Sequence, residues 1–458
     1  MALAVVAVGC RAQSAASTSP ADHRPLEPQS LAVGVQAPSD ATLLDARPLV
    51  LRNATLIDGT GAAARLDMDV VVRAGTIAEV GRDLVVTEAA REVDLAGRSL
   101  LPGLIDAHVH LTYSPSESYA LSVVDDVTQS DADRALQGAR NARATLRAGF
   151  TTVRNVGGGF ADRALRDAIE RGDVVGPRML VANHAIGITG GHCDGTNALL
   201  PDAFTSRQDY RSGVADGPQE VRRAVRWQIK HGADVIKICA TGGVMSQGDA
   251  VGASQMTPEE IAAAVAEARR ADRKVAAHAH GNAGIRDAIE GGVDSIEHGS
   301  ILDEATVAML RSHGTFLVPT VYVAQAVEER ADAGGLSLES AAKARSIAPQ
   351  MRASFKLAYG AGVKIALGSD AGVFEHGDNG KELTTMVSLG MKEMDALVAA
   401  TSRAAELLGV DNVGRIAPGA LGDLVVVDGD PLRDISVVEA PAMVVKGGVV
   451  VVEPRWVR

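Results

Sequence analysis

The sequence predicts an α/β protein: a (β/α)8 TIM-like barrel with a small β-sandwich domain built from both chain ends. Three observations carry this. Between residues 102 and 413, eight apolar strand-like runs alternate with helical patterns, the count and length of a (β/α)8 barrel. The segments on either side read instead as short β-rich runs punctuated by turns. Histidines and an aspartate recur where the barrel strands end, the rim on which such barrels carry their sites. A doubly wound open sheet would alternate in the same way, but no Gly-x-Gly-x-x-Gly follows the first strand.

In chain order, Met1 to Gly9 is almost wholly apolar and runs through Val8-Gly9-Cys10 into the Ser/Thr/Pro-rich tract Ala12 to Pro28. The run is too short to span a bilayer. It resembles the h-region and lipobox of a bacterial lipoprotein signal, without the usual basic n-region. The expectation is export, periplasmic or lipid-anchored at Cys10, with a cytoplasmic protein as the alternative. Residues 1–45 then form the signal-like segment and a flexible tether.

Residues 46–101 supply the first part of the sandwich. The runs from Leu49, Met68 and Thr76 are separated by Asp58-Gly59 and Ala74-Gly75. Residues 414–458 supply the rest, in the runs from Leu424 and Met443. The barrel occupies residues 102–413. Its strands are read at Leu104–His110, Thr151–Asn155, Arg178–Asn183, Val235–Ala240, Lys274–His278, Ser295–His298, Thr315–Val321 and Lys364–Ser369. Among the helices between them, Thr257-Pro258-Glu259-Glu260 is a capping signature, with Thr257 as N-cap. The link from about Gly190 to Pro218 is long for a βα loop, as loops that shape a substrate site often are.

Of the 458 residues 46% are hydrophobic and 22% charged, with a formal net charge of −12. No basic run is present, which excludes a nucleic-acid partner. Of the three cysteines, Cys10, Cys193 and Cys239, none forms a Cys-x-x-Cys pair. Zinc-finger and disulfide-framework readings are therefore weak, and Cys239 reads as a small buried hydrophobe.

The chemistry gathers at the strand ends. In Leu104-Ile105-Asp106-Ala107-His108-Val109-His110, alternate side chains share a face, so His108 and His110 point the same way. Lys237 lies inside the apolar run Val235-Ile236-Lys237-Ile238-Cys239. His278 and His280 close the fifth strand, His298 the sixth, and Gly368-Ser369-Asp370 the eighth. Imidazole and carboxylate are zinc ligands. A lysine in an apolar strand is costly as a cation; deprotonated, it can take up carbon dioxide as a carbamate. Alone, each residue has an ordinary structural reading, and Lys237 could pair with a carboxylate. Together, in this order at strand ends, they mark a site.

Pro102 to His110, Lys237, His278, His298 and Gly368-Ser369-Asp370 resemble the binuclear amidohydrolase superfamily, as do the closing segments from Ala399 and Gly414. The resemblance runs from about Leu49 to the C-terminus. It implies two divalent metal ions, zinc by ligand type: one on His108, His110 and Asp370, the other on His278 and His298. N-carboxylated Lys237 and a hydroxide would bridge them, and the hydroxide would attack an amide carbonyl while Asp370 moves the proton to the leaving nitrogen. It also implies a homo-oligomer, possibly an octamer by analogy with the family.

Gly190-Gly191-His192-Cys193-Asp194-Gly195, the segment from Ala240, and Val275 to Gly281 resemble the imidazolonepropionase-like branch. That branch holds Xaa-Pro dipeptidases, carboxypeptidases and ochratoxin-degrading amidases. Cys193 stands where the branch has glycine. The implied substrate is a small dipeptide or N-acyl amino acid. His280 is expected to donate a hydrogen bond to substrate in a catalytic role, Tyr322 or His192 to contact it, and His184, His231 and His313 to be structural or exposed. The alternatives are a cyclic-amide or imidazolone ring hydrolase, a mononuclear deaminase with little use for Lys237, and an inactive barrel used as an assembly scaffold.

Overall fold

The computed structural model describes residues 47–197, 199–200, 208–454 and 456; Cys10 and the signal-like segment lie outside them. Alternating apolar residues at the N-terminal end form β1 (Leu49–Leu56), β2 (Arg65–Arg73), β3 (Thr76–Gly81), β4 (Arg91–Asp94) and β5 (Ser99–Pro102). Ala74 and Gly75, at φ +48° and +80°, turn β2 into β3. Into the core of this sheet point Leu49, Leu51, Val70, Val72 and Leu100.

Next come β6 (Leu104–Val109), β7 (Phe150–Asn155), β8 (Arg178–Val181), β9 (Val235–Cys239), β10 (Lys274–Ala279), β11 (Ser295–His298) and β12 (Phe316–Val318). The chain closes with β13 (Leu424–Val427), β14 (Met443–Lys446) and β15 (Val449–Val452). β13 pairs antiparallel with β5, from Leu424 opposite Pro102 to Val427 opposite Ser99. One eight-stranded sheet therefore holds strands from both chain ends, in the order β15-β14-β13-β5-β1-β2-β3 with β4 beside β1.

The middle strands are all parallel, in the orders β6-β7-β8 and β9-β10-β11-β12. Isolated parallel bridges continue both series: Ile186 with Ile238, Leu317 with Ile365, and Val109 with Ala371. Helices separate the strands, and the helix Pro258–Arg269 starts with the expected capping box. Thr257 Oγ1 accepts from the Glu260 N–H, while the Glu260 carboxylate accepts from the Thr257 N–H at 2.7 Å. The alternation makes a TIM-barrel-like α/β fold.

Two of the expected strands differ. The segment 364–369 is no regular strand and holds its place through separate hydrogen bonds, Ala107 N–H to Leu367 O at 2.9 Å and Asp370 N–H to His108 O at 2.8 Å. Gly368 packs so closely on Val318 and His108 that a Cβ would collide with both. The seventh strand stops at Val318 rather than Val321. Thr320 turns left-handed at φ +47°, and a helix, Val321–Asp332, begins at once.

Its first turn is held by buried Glu382, which accepts from the N–H groups of Val321 (2.9 Å) and Tyr322 (2.7 Å). Burial pushes this carboxyl from 4.5 up to about 8, against the pull of those two donors. A raised folded pKa means the native chain binds the proton more tightly, so this stability is full below about pH 4 and lost as pH rises to about 8. The thermal midpoint should therefore fall as pH rises through that window. Glu382→Gln should flatten the slope, and an unchanged slope would show that Glu382 is ionised throughout.

Candidate metal centre

The C-terminal ends of the parallel strands bring two ligand groups together. His108, His110 and Asp370 place one ligand atom each within 4.8 Å of one another, and so do His278, His280 and His298. In the first group, Asp370 Oδ1 lies 3.4 Å from His108 Nε2 and 3.2 Å from His110 Nε2. The groups adjoin, with the His108 and His298 rings 5.0 Å apart. His298 and Asp370 both sit in the left-handed region, at φ +70° and +64°. Such backbone costs about 1–3 kcal/mol a residue and concentrates at functional sites.

Every ring is held by one nitrogen. Nδ1 of His108 meets Glu297 at 2.7 Å, that of His110 the Gly157 carbonyl at 2.8 Å, that of His298 Thr320 Oγ1 at 2.8 Å, and that of His280 Ser300 Oγ at 2.6 Å. These four present Nε2 to the centre. His278 is engaged at Nε2 by the Gly242 carbonyl at 3.3 Å and presents Nδ1. Fixing the second nitrogen is how proteins orient imidazole ligands.

Burial drives His108 down to about 4 and His278 and His298 well below their ordinary value, with neighbouring cationic or imidazole groups adding to it. These rings are neutral, the form that binds metal. The donor set fits divalent cations; His110 is the one ring of the six residues held above its ordinary value, where burial lowers it and the Asp370 carboxylate outweighs burial, so a cation there would displace its proton. Asp370 is held below its ordinary value: burial opposes this, and His108 and His110 outweigh burial.

Lys237, 4% exposed, lines the same cavity. Burial lowers its amine to about 8, although Glu297 and Asp370 pull upward. An amine so placed is available in its neutral form near pH 8. Glu297 itself stays near 2 despite burial, because Arg154 and His108 flank it. Arg154 reaches it at 2.8 Å and donates to the Ala107 carbonyl at 2.6 Å.

Three placements add to the expectations or depart from them. His280, expected to donate a hydrogen bond to substrate, also stands among the ligand atoms of the second group. Tyr322 is not among the residues that line the cavity: the early end of β12 puts it on the first helical turn, edge-on to Phe374 at 4.8 Å. His184, expected to be structural or exposed, lines the cavity. His192 is in the cavity wall, stacked on His278 at 4.1 Å with Nδ1 on Ser246 Oγ at 2.9 Å.

The cysteines are the other surprise. Cys193 and Cys239 are joined as a disulfide, Cα atoms 6.1 Å apart, which fastens the His192 loop to the end of the Lys237 strand. Cys239 is thus more than a buried hydrophobe. In the unprocessed chain, with Cys10 unmodified, the unreduced, denatured protein should titrate one thiol and the reduced protein three. Three thiols without reduction would disprove the pairing. Glu297 and Arg154 also went unnoticed in the sequence; the signal was a charged residue inside each of two apolar strands.

The cavity over the centre measures about 780 Å³. Its lining includes the apolar Val323, Val327, Ile347 and Met351 and the charged Asp126, Asp131 and Arg134.

Residues 99–451 match the Amidohydrolase family. An ochratoxinase of Aspergillus niger is 32% identical over 94% of this chain and 95% of its own length. A crystal structure of a Xaa-Pro dipeptidase with methionine bound in its active site is 38% identical, with a TM-score of 0.84 over 88% of this chain and 99% of that one. A prolidase solved with N-methylphosphonate-L-proline is 35% identical, with a TM-score of 0.79 over 88% and 99%.

Proposed function

This chain belongs to the amidohydrolase family and is a hydrolase acting on amide bonds, and we propose that its substrate is a dipeptide or N-acyl amino acid whose C-terminal amino acid is released. The observation that carries the reading is the pair of ligand groups meeting in one cavity, with buried Lys237 beside them. Relatives described as an ochratoxinase and as Xaa-Pro dipeptidases support the substrate class.

On this reading His108, His110 and Asp370 would hold one divalent cation and His278 and His298 a second, with His280 beside them and Lys237, as its N-carboxylate, between them. Two such ions, zinc by ligand type, would lower the pKa of water and polarise the scissile carbonyl. The chain does the rest. Asp370, kept ionised between His108 and His110, receives the proton and returns it to the leaving nitrogen. His192, steadied by Ser246, offers its free nitrogen to the substrate. The walls hold the amide over the centre, the orientation that makes attack effectively intramolecular.

The same reading joins the two parallel series and the 364–371 segment into one eight-stranded barrel, with the terminal sheet as a small sandwich-like domain. Export with a lipid anchor at Cys10 is supported by the lipobox resemblance and by a disulfide, which persists in oxidising compartments. A homo-oligomer is proposed from the resemblance alone.

Purified, zinc-loaded protein should release free amino acids from a panel of dipeptides and N-acyl amino acids. Chelation should abolish this and added metal restore it. Opening of cyclic amides or imidazolones without cleavage of any linear amide would replace this reading with the ring-hydrolase one.

A further inference from the structure

We propose that Arg330 anchors the free carboxylate of the substrate, and that the apolar wall beside it receives the side chain of the residue bearing that carboxylate. This rests on the amidase reading above.

The helix Val321–Asp332 sends one face into the cavity. Val323, Val327 and Arg330 are spaced four and three residues apart, so they lie in line, and all three line the wall. The Arg330 guanidinium donates from Nη1 to the Val373 carbonyl at 2.8 Å and from Nη2 to the Ser116 carbonyl at 3.3 Å. Val373 follows Asp370 by three residues, and Ser116 follows His110 by six. The guanidinium therefore sits between the two loops that leave the first ligand group.

Two carbonyls leave most of its five N–H donors free, and neither carries a charge. Among the described residues no carboxylate forms an ion pair with Arg330. The other cations of the wall are satisfied or belong to the centre. Arg134 is bound to Asp126 at 2.9 Å and lies over the Tyr113 ring at 4.6 Å, and Lys237 stands at the ligand groups. Glu375 acts on the half-buried guanidinium across space but forms no ion pair with it, so a substrate carboxylate can complete its free donors with two parallel hydrogen bonds.

The second observation is the surface next to it. Val323 and Val327 face Ile347 and Met351 of the adjoining helix Leu338–Gly360 across the cavity wall. A carboxylate on Arg330 sets the neighbouring side chain against these four and leaves the amide directed at the centre. The preferred substrates are then those with a bulky apolar C-terminal residue and a free carboxylate. Tyr322, on the same helix, packs edge-on to Phe374 and is not among the residues that line the cavity.

The test compares kcat/KM for N-acetyl-L-leucine, N-acetyl-L-leucinamide and N-acetylglycine in wild type, Arg330→Met and Arg330→Lys. Wild type should prefer the leucine acid to its amide by about ten- to a hundredfold, the range for one charge-assisted contact, and the leucine acid to N-acetylglycine. In Arg330→Met the acid-to-amide ratio should fall toward one, chiefly through KM, and Arg330→Lys should keep part of it. If Arg330 only clamps the two loops, both substrates suffer alike and the ratio stays, which overturns the proposal. A second arm is calorimetry of L-leucine binding to metal-free wild type and Arg330→Lys, where weaker binding by the variant is expected and equal binding overturns it. Should wild type cleave none of the amides, the amidase reading fails, and the L-leucine arm still decides the role of Arg330.

Discussion

Lys237→Ala should lose metal and amidase activity together, with kcat/KM down by more than about a hundredfold, beyond the 10–100-fold typical of groups that merely support a ligand. The reason lies in where Lys237 sits. It is 4% exposed at the level of the ligand groups, and burial takes its amine down to about 8, so a charged ammonium gains little there. Replacement by alanine removes the buried amine that would carry the proposed carbamate. Acetate or propionate, small enough for the space left, should restore part of the activity and of the metal content. Metal analysis beside the activity assay checks this. A variant with full activity and full metal content would remove Lys237 from the centre.

The second large effect concerns stability. Glu297→Ala should destabilise the metal-free protein by about 3–5 kcal/mol, the cost of stripping one partner from a buried charged pair. Glu297 is fully buried, 2.8 Å from Arg154 and 2.7 Å from His108. Without it, Arg154 keeps its charge in the core and His108 loses the acceptor that orients it. Denaturant unfolding measures the first consequence, and metal affinity, down by about 10–100-fold, the second. Glu88→Ala, which breaks an exposed pair with Arg73, is the control and should leave stability little changed. Equal effects from the two substitutions would show that Glu297 is not structurally coupled to the centre.

Much of the site was legible because local periodicity decides it. A period of two puts His108 and His110 on one face of a strand, and repeated strand–helix alternation puts successive strand ends on one rim. The Thr257 capping box is local in the same sense: cap and partner are three residues apart, and the chain need not fold further for them to meet.

What went unread involves partners far apart in sequence or a local break in pattern. Tyr322 continues an apolar run, so periodicity places it just past a strand. The left-handed turn at Thr320, with Glu382 sixty residues on holding the helix start, swings it away from the cavity. His280 was placed on the correct face; its distance to His298, from another strand, decides that it joins the ligand atoms. Cys193 and Cys239 are 46 residues apart, and only the path of the long loop brings them together. Glu297 finds His108 and Arg154 across three strands.

The sequence by itself determined the strand–helix order, the candidate residues His108, His110, Lys237, His278, His298 and Asp370, and the face each of those on a strand takes, because backbone geometry repeats every few residues. Only the tertiary structure decided which side chains converge, which nitrogen of each imidazole is free, and that Arg330 lines the cavity while Tyr322 does not. Those depend on packing between segments that no local period connects.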